Sequence, residues 1–222
     1  MKFIFGLVAT LAITFAGFSQ KGIYVKYETD VQGSGENGEM MAMMMNGSTM
    51  ELATSPEYTW VQTQMGTMMT MTMELNSADE EMTILMTGMM GNMAFQGNPD
   101  DMEEEGEAEE EEAALDMELV DETKEILGYE CKKAIMTDAE GNQAIYWYTE
   151  EISRPDGVSQ MPNQVPGLCL QFETNAQEGV KITYTAIEVD KKAKMSDYEI
   201  EIPEGTEVQS LEEMKNMGMG GM

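Results

Sequence analysis

The sequence has no histidine, only two cysteines, and 12 lysines and arginines against 42 aspartates and glutamates. Without histidine there is no Ser/His or Cys/His nucleophile pair, no imidazole zinc ligand and no ordinary switch near neutral pH. The balance 12 − 42 = −30 repels phosphate backbones and anionic headgroups, which excludes nucleic acid and anionic lipid as partners. No cofactor is implied: there is no CxxC redox pair, and nothing pairs a nucleophile with a base. Paired carboxylates carry no information in a chain with so many of them.

What is present begins at the N-terminus. Met1-Lys2 precedes an apolar run from Phe3 to Phe18, followed by small and polar residues, the pattern of a secretory signal peptide over 1–19. Cleavage is expected between Ser19 and Gln20. A spanning helix needs about 20 apolar residues, so the alternative of a membrane anchor is weaker. No later run is long enough to cross a bilayer, so no integral membrane segment is expected after signal removal. The expected destination is the periplasm or the extracellular space. About 200 mature residues can bury a sizeable core.

Beyond residue 20 the chain reads as short strands. Ile23, Val25 and Tyr27 alternate with polar neighbours at the period of a half-buried strand. Met40–Met45 and Ser48–Ala53 flank Asn46-Gly47, which predicts a hairpin. Further strands are expected over 57–64, 67–75, 81–87, 116–120, 131–137, 143–149, 168–174, 180–190 and 198–202. Helical periodicity is confined to 206–216 and, more weakly, 120–127. Residues 100–112 carry ten acidic residues in thirteen positions, a self-repelling run that predicts a disordered loop over 100–116. It lacks the spaced ligands and glycine of an EF-hand calcium loop. The expected organisation is one β domain with a Met-rich N-terminal part (20–99), the acidic loop, a C-terminal part (117–205) and a Met-rich tail (206–222). The fold class is mostly β, a curved antiparallel sheet or half-barrel with few short helices.

Methionine numbers 26 in 222 residues and clusters at 40–50, 65–73, 82–93 and 214–222. Three readings stand. Alternating Met and Thr reads as packing, with flexible Met filling irregular gaps. A curved sheet with Met69, Met71 and Met73 on one face is also an adaptable surface for a hydrophobic small molecule or an apolar segment of an envelope protein. Thioethers are soft ligands, so Met214, Met217, Met219 and Met222 in the tail are candidate Cu(I) ligands, with Met86-x-x-Met89 and Met90-x-x-Met93 similarly spaced. On a strand, neighbouring same-face methionines lie about 6.6 Å apart, so one ion would need cross-strand partners as well.

Cys131 and Cys169 in an exported chain suggest a disulfide, which on the chain-entropy model would stabilise the fold by about 4 kcal/mol. Two partly buried thiols are the alternative. Alternation puts Cys169 with Gln171 and Glu173, opposite Leu168, Leu170 and Phe172. Tyr146 and Tyr148 share a face of their strand, and Trp147 takes the other.

The blocks around these cysteines carry a resemblance. Lys124–Ala134, the strand ending Trp147-Tyr148-Thr149-Glu150-Glu151-Ile152, and Val165-Pro166-Gly167-Leu168-Cys169-Leu170 resemble exported Bacteroidota proteins of the domain of unknown function 4412 family and the related GLPGLI family. Ile202-Pro203-Glu204-Gly205 ahead of a Met-rich tail is similar to the first of these. The resemblance implies a cell-envelope or secreted protein with a curved antiparallel sheet, and it supplies no activity and no binding residues. With no nucleophile–base pair in the chain, a non-enzymatic protein is expected.

Overall fold

The computed structural model describes residues 21–45, 47–89, 91–102, 116–138, 141–153, 164–177 and 180–217. The predicted signal segment with Ser19 and Gln20, most of the acidic run, and Met219 and Met222 lie outside the described residues. The chain forms β1 (Lys21–Gly33), α1 (Gly35–Met45), β2 (Thr49–Ser55), β3 (Tyr58–Met65), β4 (Met69–Asn76), β5 (Glu81–Gly88) and β6 (Gly91–Gly97). A 3-10 turn (Pro99–Met102) follows β6. Then come β7 (Asp116–Ile126), β8 (Tyr129–Thr137), β9 (Gln143–Thr149), β10 (Leu168–Gln177) and β11 (Val180–Lys194), a second 3-10 turn (Met195–Asp197), β12 (Val208–Ser210) and a short helix, α2 (Leu211–Asn216).

The twelve strands among the described residues join one open sheet in the order β12-β6-β5-β4-β3-β2-β1-β11-β10-β9-β8-β7. Two meanders meet at its centre, where β1 and β11 pair along almost their whole lengths. Every pairing is antiparallel except β12 with β6. The sheet is curved and mostly antiparallel, as the alternation predicts. Irregularities in β7, β10 and β11 contribute, since an extra residue in one strand bends it and tightens its twist.

Alternation decides which residues are inside. Val25, Leu52, Val61, Met73, Ile84 and Phe95 stand in one cross-strand row over six strands. The adjacent row on the opposite face reads Lys26, Glu51, Gln62, Thr72, Leu85 and Ala94. We call the first face inner and the second outer. The inner row feeds two core clusters, and each fully buried aliphatic side chain contributes about 1.5–3 kcal/mol. On the outer face Lys26 bridges Glu51 at 2.7 Å, and Gln62 donates to Thr72 Oγ1 at 3.1 Å.

After β11 the chain crosses the outer face as a strap. Tyr198 stacks on Tyr24 and tilts against Trp60, with centroids 5.3 and 5.4 Å away. The Ile200 N–H donates to Glu74 Oε2 at 2.8 Å. The strap then delivers β12 to the free edge of β6. From there α2 returns to the inner face, where Leu211 and Met214 are buried with Ile84, Met86 and Phe95. Ser210 caps α2 reciprocally: its hydroxyl accepts from the Glu213 N–H, and its own N–H donates to the Glu213 carboxylate.

Several local expectations are corrected. Met40–Met45 is helical, because Met and Ala form helices well and tertiary pairing reaches only Thr49. The chain leaves α1 through Gly47 at φ +77°, and the Ser48 N–H donates to the Met45 carbonyl. Residues 120–126 are strand, since β8 offers a ladder there and the irregularity between Val120 and Thr123 absorbs the mismatch. Leu127 and Gly128, with φ of 52° and 81°, make the tight turn into β8. Residues 198–202 are strap, and the predicted helix over 206–216 is divided between β12 and α2. β6 has no counterpart among the expected strands, because Gly91, Asn92 and Gly97 obscure its alternation.

Candidate functional site

The sheet's inner face over β3–β6 has the most unusual chemistry in the molecule. Met69, Met71, Met73 and Leu75 share this face of β4, as parity requires. Register adds what parity alone does not show. Met71 stands opposite Met86, and Met86 stands opposite Met93. Met82 lies opposite Leu75, two rows further on, beyond Met73 and Ile84. Met86 is buried at 3% exposure, whereas Met71, Met73, Met82 and Met93 are half-buried and pack against it with Ile84 and Phe95. Met102 from the 3-10 turn and Met214 from α2 join the same cluster.

The tail therefore does not act as one unit. Met214 is 2% exposed within this core, while Met217, three residues on, is 53% exposed at the C-cap of α2. Helical geometry separates them: Met214 lies on the face that docks, and Met217 ends the helix. A second cluster of surface methionines, Met40, Met43 and Met44, lies on α1, which packs beside β1 and β11.

The disulfide expectation is corrected. Cys131 and Cys169 are buried thiols and no bridge joins them. Cys131 is on β8 and Cys169 on β10, with β9 between them. Two strand spacings amount to about 9.6 Å, beyond the roughly 7 Å over which a disulfide can form. Lys132, Tyr148 and Cys169 stand in one row, so Cys131 points to the opposite face. The irregularity at Leu170 also overturns the expected faces on β10: Cys169 aligns with Tyr148 and Phe172 with Tyr146, which puts both on one side. Burial pushes the Cys131 thiol up to about 11, partly offset by Lys124, so it is a poor nucleophile near neutral pH.

The aromatic strand divides as expected. Trp147 faces Gln171 and lies beneath two cations, Lys124 Nζ at 4.0 Å and Lys133 Nζ at 5.7 Å from its ring centre. Lys124 also donates to Gln171 Oε1, and Gln171 Nε2 donates to Thr185 Oγ1 at 2.7 Å. Desolvation lowers the Lys124 pKa. Tyr146 takes the other face and stacks on Phe172 at 6.3 Å, and Phe172 stacks on Tyr184 at 4.7 Å. Tyr27 meets Phe172 edge-on, and its hydroxyl donates to the Cys169 carbonyl at 2.8 Å. Sequence reasoning missed this ladder, since its rings come from β1, β9, β10 and β11.

A groove of about 510 Å³ lies at the β12–β6 seam, lined by Asp79, Glu80, Glu81, Gln96 and Gln209 among others. Two of its carboxylates have partners: Asn76 donates to Asp79 at 2.7 Å, and Gln96 donates to Glu81. Among the described residues no group of three or more Cys, Asp or Glu side chains is placed to hold a metal ion. No described helix is long and apolar enough to cross a membrane.

Several solved structures resemble this fold, those of three proteins among them. PNGF-II is 16% identical with a TM-score of 0.48, over 90% of this chain and 33% of that one, so the chain spans about a third of that protein's length. An uncharacterized conserved protein from Thermus thermophilus is 9% identical with a TM-score of 0.48, over 87% of this chain and 91% of that one. MucB is 11% identical with a TM-score of 0.45, over 82% and 58%. No curated protein matches the chain. A family model described as N-glycanase peptide, N-terminal domain, matches residues 108–212, the stretch that holds β7 to β12 and the start of α2.

Proposed function

We propose that this chain is an exported, non-enzymatic β module that holds an apolar ligand, either a hydrophobic small molecule or an apolar segment of an envelope protein, on its inner face. The observation that carries the reading is the half-buried set Met71, Met73, Met82 and Met93, seated on a rigid floor of Ile84, Met86 and Phe95. Unbranched, polarizable side chains over a packed floor adapt to ligands of varied shape. The non-catalytic part of the reading draws on the lack of histidine and on the burial of both thiols. The N-glycanase match supports a module that accompanies other chemistry, being to a domain described by its N-terminal place.

The test is native mass spectrometry and organic extraction of the purified chain, with titration of an environment-sensitive apolar fluorophore. Binding is expected to weaken in Met71→Glu and Met73→Glu variants, which place a charge on the face without touching its floor. A protein that purifies empty, and binds the fluorophore no better than those variants do, defeats the reading.

A further inference from the structure

Register brings three thioethers from three strands to one place. Met71, Met86 and Met93 stand directly opposite one another on β4, β5 and β6, all on the inner face. Opposed side chains on neighbouring strands have Cβ atoms about 4.5–5.5 Å apart. The outer two are separated by two strand spacings, about 9.6 Å, with Met86 between them. Three rotatable bonds allow Met71 and Met93 to lean their sulfurs inward over Met86. Met214 descends from α2 into the same cluster and brings a fourth thioether from the other end of the chain.

The surroundings suit a soft cation. From Tyr27 to Thr123 there is no lysine, arginine or histidine, so no basic side chain of this half competes for the position. The net charge of −30 raises the local concentration of cations. Burying Met costs more rotamer freedom than burying Leu or Ile, which would fill the same row with better-defined packing. The next row inward has mixed composition, Val61, Met73, Ile84 and Phe95, so methionine is not a general requirement of this sheet.

We propose that Met71, Met86 and Met93 form a thioether site for a single Cu(I) ion, with Met214 as an additional ligand. Thioether sulfur selects Cu(I) over the hard divalent cations, which need oxygen ligands. Met86 supplies the buried base of the site, and half-buried Met71 and Met93 are its accessible sides. The site shares Met71, Met86 and Met93 with the proposed apolar surface, but sulfur ligation of copper has its own readout and stands or falls separately from ligand binding.

The experiment is anaerobic titration of the purified chain with Cu(I) in competition with a chromophoric chelator, followed by X-ray absorption at the copper edge. One Cu(I) per chain is expected at the tight site, with sulfur as the scattering neighbour. Met71→Leu/Met93→Leu keeps the apolar volume, leaves the buried Met86 in place and removes two ligands. It is expected to weaken Cu(I) binding by more than about tenfold with an unchanged circular dichroism spectrum. Met40→Leu/Met43→Leu/Met44→Leu on α1 is expected to bind as the parent does. Equal affinity in the parent and the Met71/Met93 variant overturns the site. So does an equal loss in the α1 variant, which would show diffuse binding by surface thioethers.

Discussion

Replacing Tyr27 with phenylalanine removes one oxygen from the centre of the fold. The Tyr27 hydroxyl donates to the Cys169 carbonyl at 2.8 Å, linking the N-terminal strand to β10 beside its irregularity. Both residues are fully buried, so water does not take over the bond. Losing a buried hydrogen bond that water cannot replace costs about 1–3 kcal/mol, and the edge-on contact with Phe172 survives the substitution. Urea unfolding at pH 7 is therefore expected to show a loss of about 2 kcal/mol with an unchanged slope. The same residue adds a pH signature. Burial raises the Tyr27 pKa well above its ordinary value, so the native state keeps a proton that the unfolded chain releases near pH 10. Stability from this group is complete below pH 10 and declines above it by about 1.4 kcal/mol per pH unit. The phenylalanine variant has no such proton to lose. The gap between parent and variant should thus narrow above pH 10 and close within about 1.5 units, by the same slope. A gap below about 0.5 kcal/mol at neutral pH, close to the limit of the method, refutes the assignment of this hydroxyl as a buried donor. So does a gap that stays constant through about pH 11.

Other consequences are measurable. Reducing agent should leave the melting temperature unchanged, because the thiols lie on opposite faces with β9 between them; a bridge would contribute about 4 kcal/mol and shift it by several degrees. A thiol-specific reagent should label Cys131 and Cys169 only at the rate at which the chain opens, and prompt labelling of the native protein would contradict their burial. Phe95→Ala, which empties the end of the long inner row, is expected to cost about 3–5 kcal/mol in chemical denaturation. Ser210→Ala removes the acceptor for the Glu213 N–H and should cost about 0.5–2 kcal/mol, with hydrogen exchange rising first in α2.

Legibility followed how local the physics was. The expected strand over 143–149 matches β9 to the residue, since Gln143–Thr149 is dense in β-favouring Ile, Tyr, Trp and Thr. The inner face of β4 was correct because parity alone fixes it. The run Met40–Met45 failed because its residues serve either element, and only the lack of a strand partner there resolves it. The faces on β10 failed because one additional residue at Leu170 inverts parity, and no sequence pattern announces it. The bridge failed with them, since distance across a sheet depends on strand order.

The sequence by itself determined the class of this protein: period-two alternation, turn residues and an excess of acid leave a mostly β sheet with no histidine chemistry. It also placed Met69, Met71 and Met73 of β4 on one face of that sheet. Tertiary structure decided which methionines meet. Register across β4, β5 and β6 aligns Met71, Met86 and Met93, and the strap that carries α2 around the edge adds Met214 to them. The physical reason is that side-chain direction is a property of one strand, whereas proximity is a property of pairing among several.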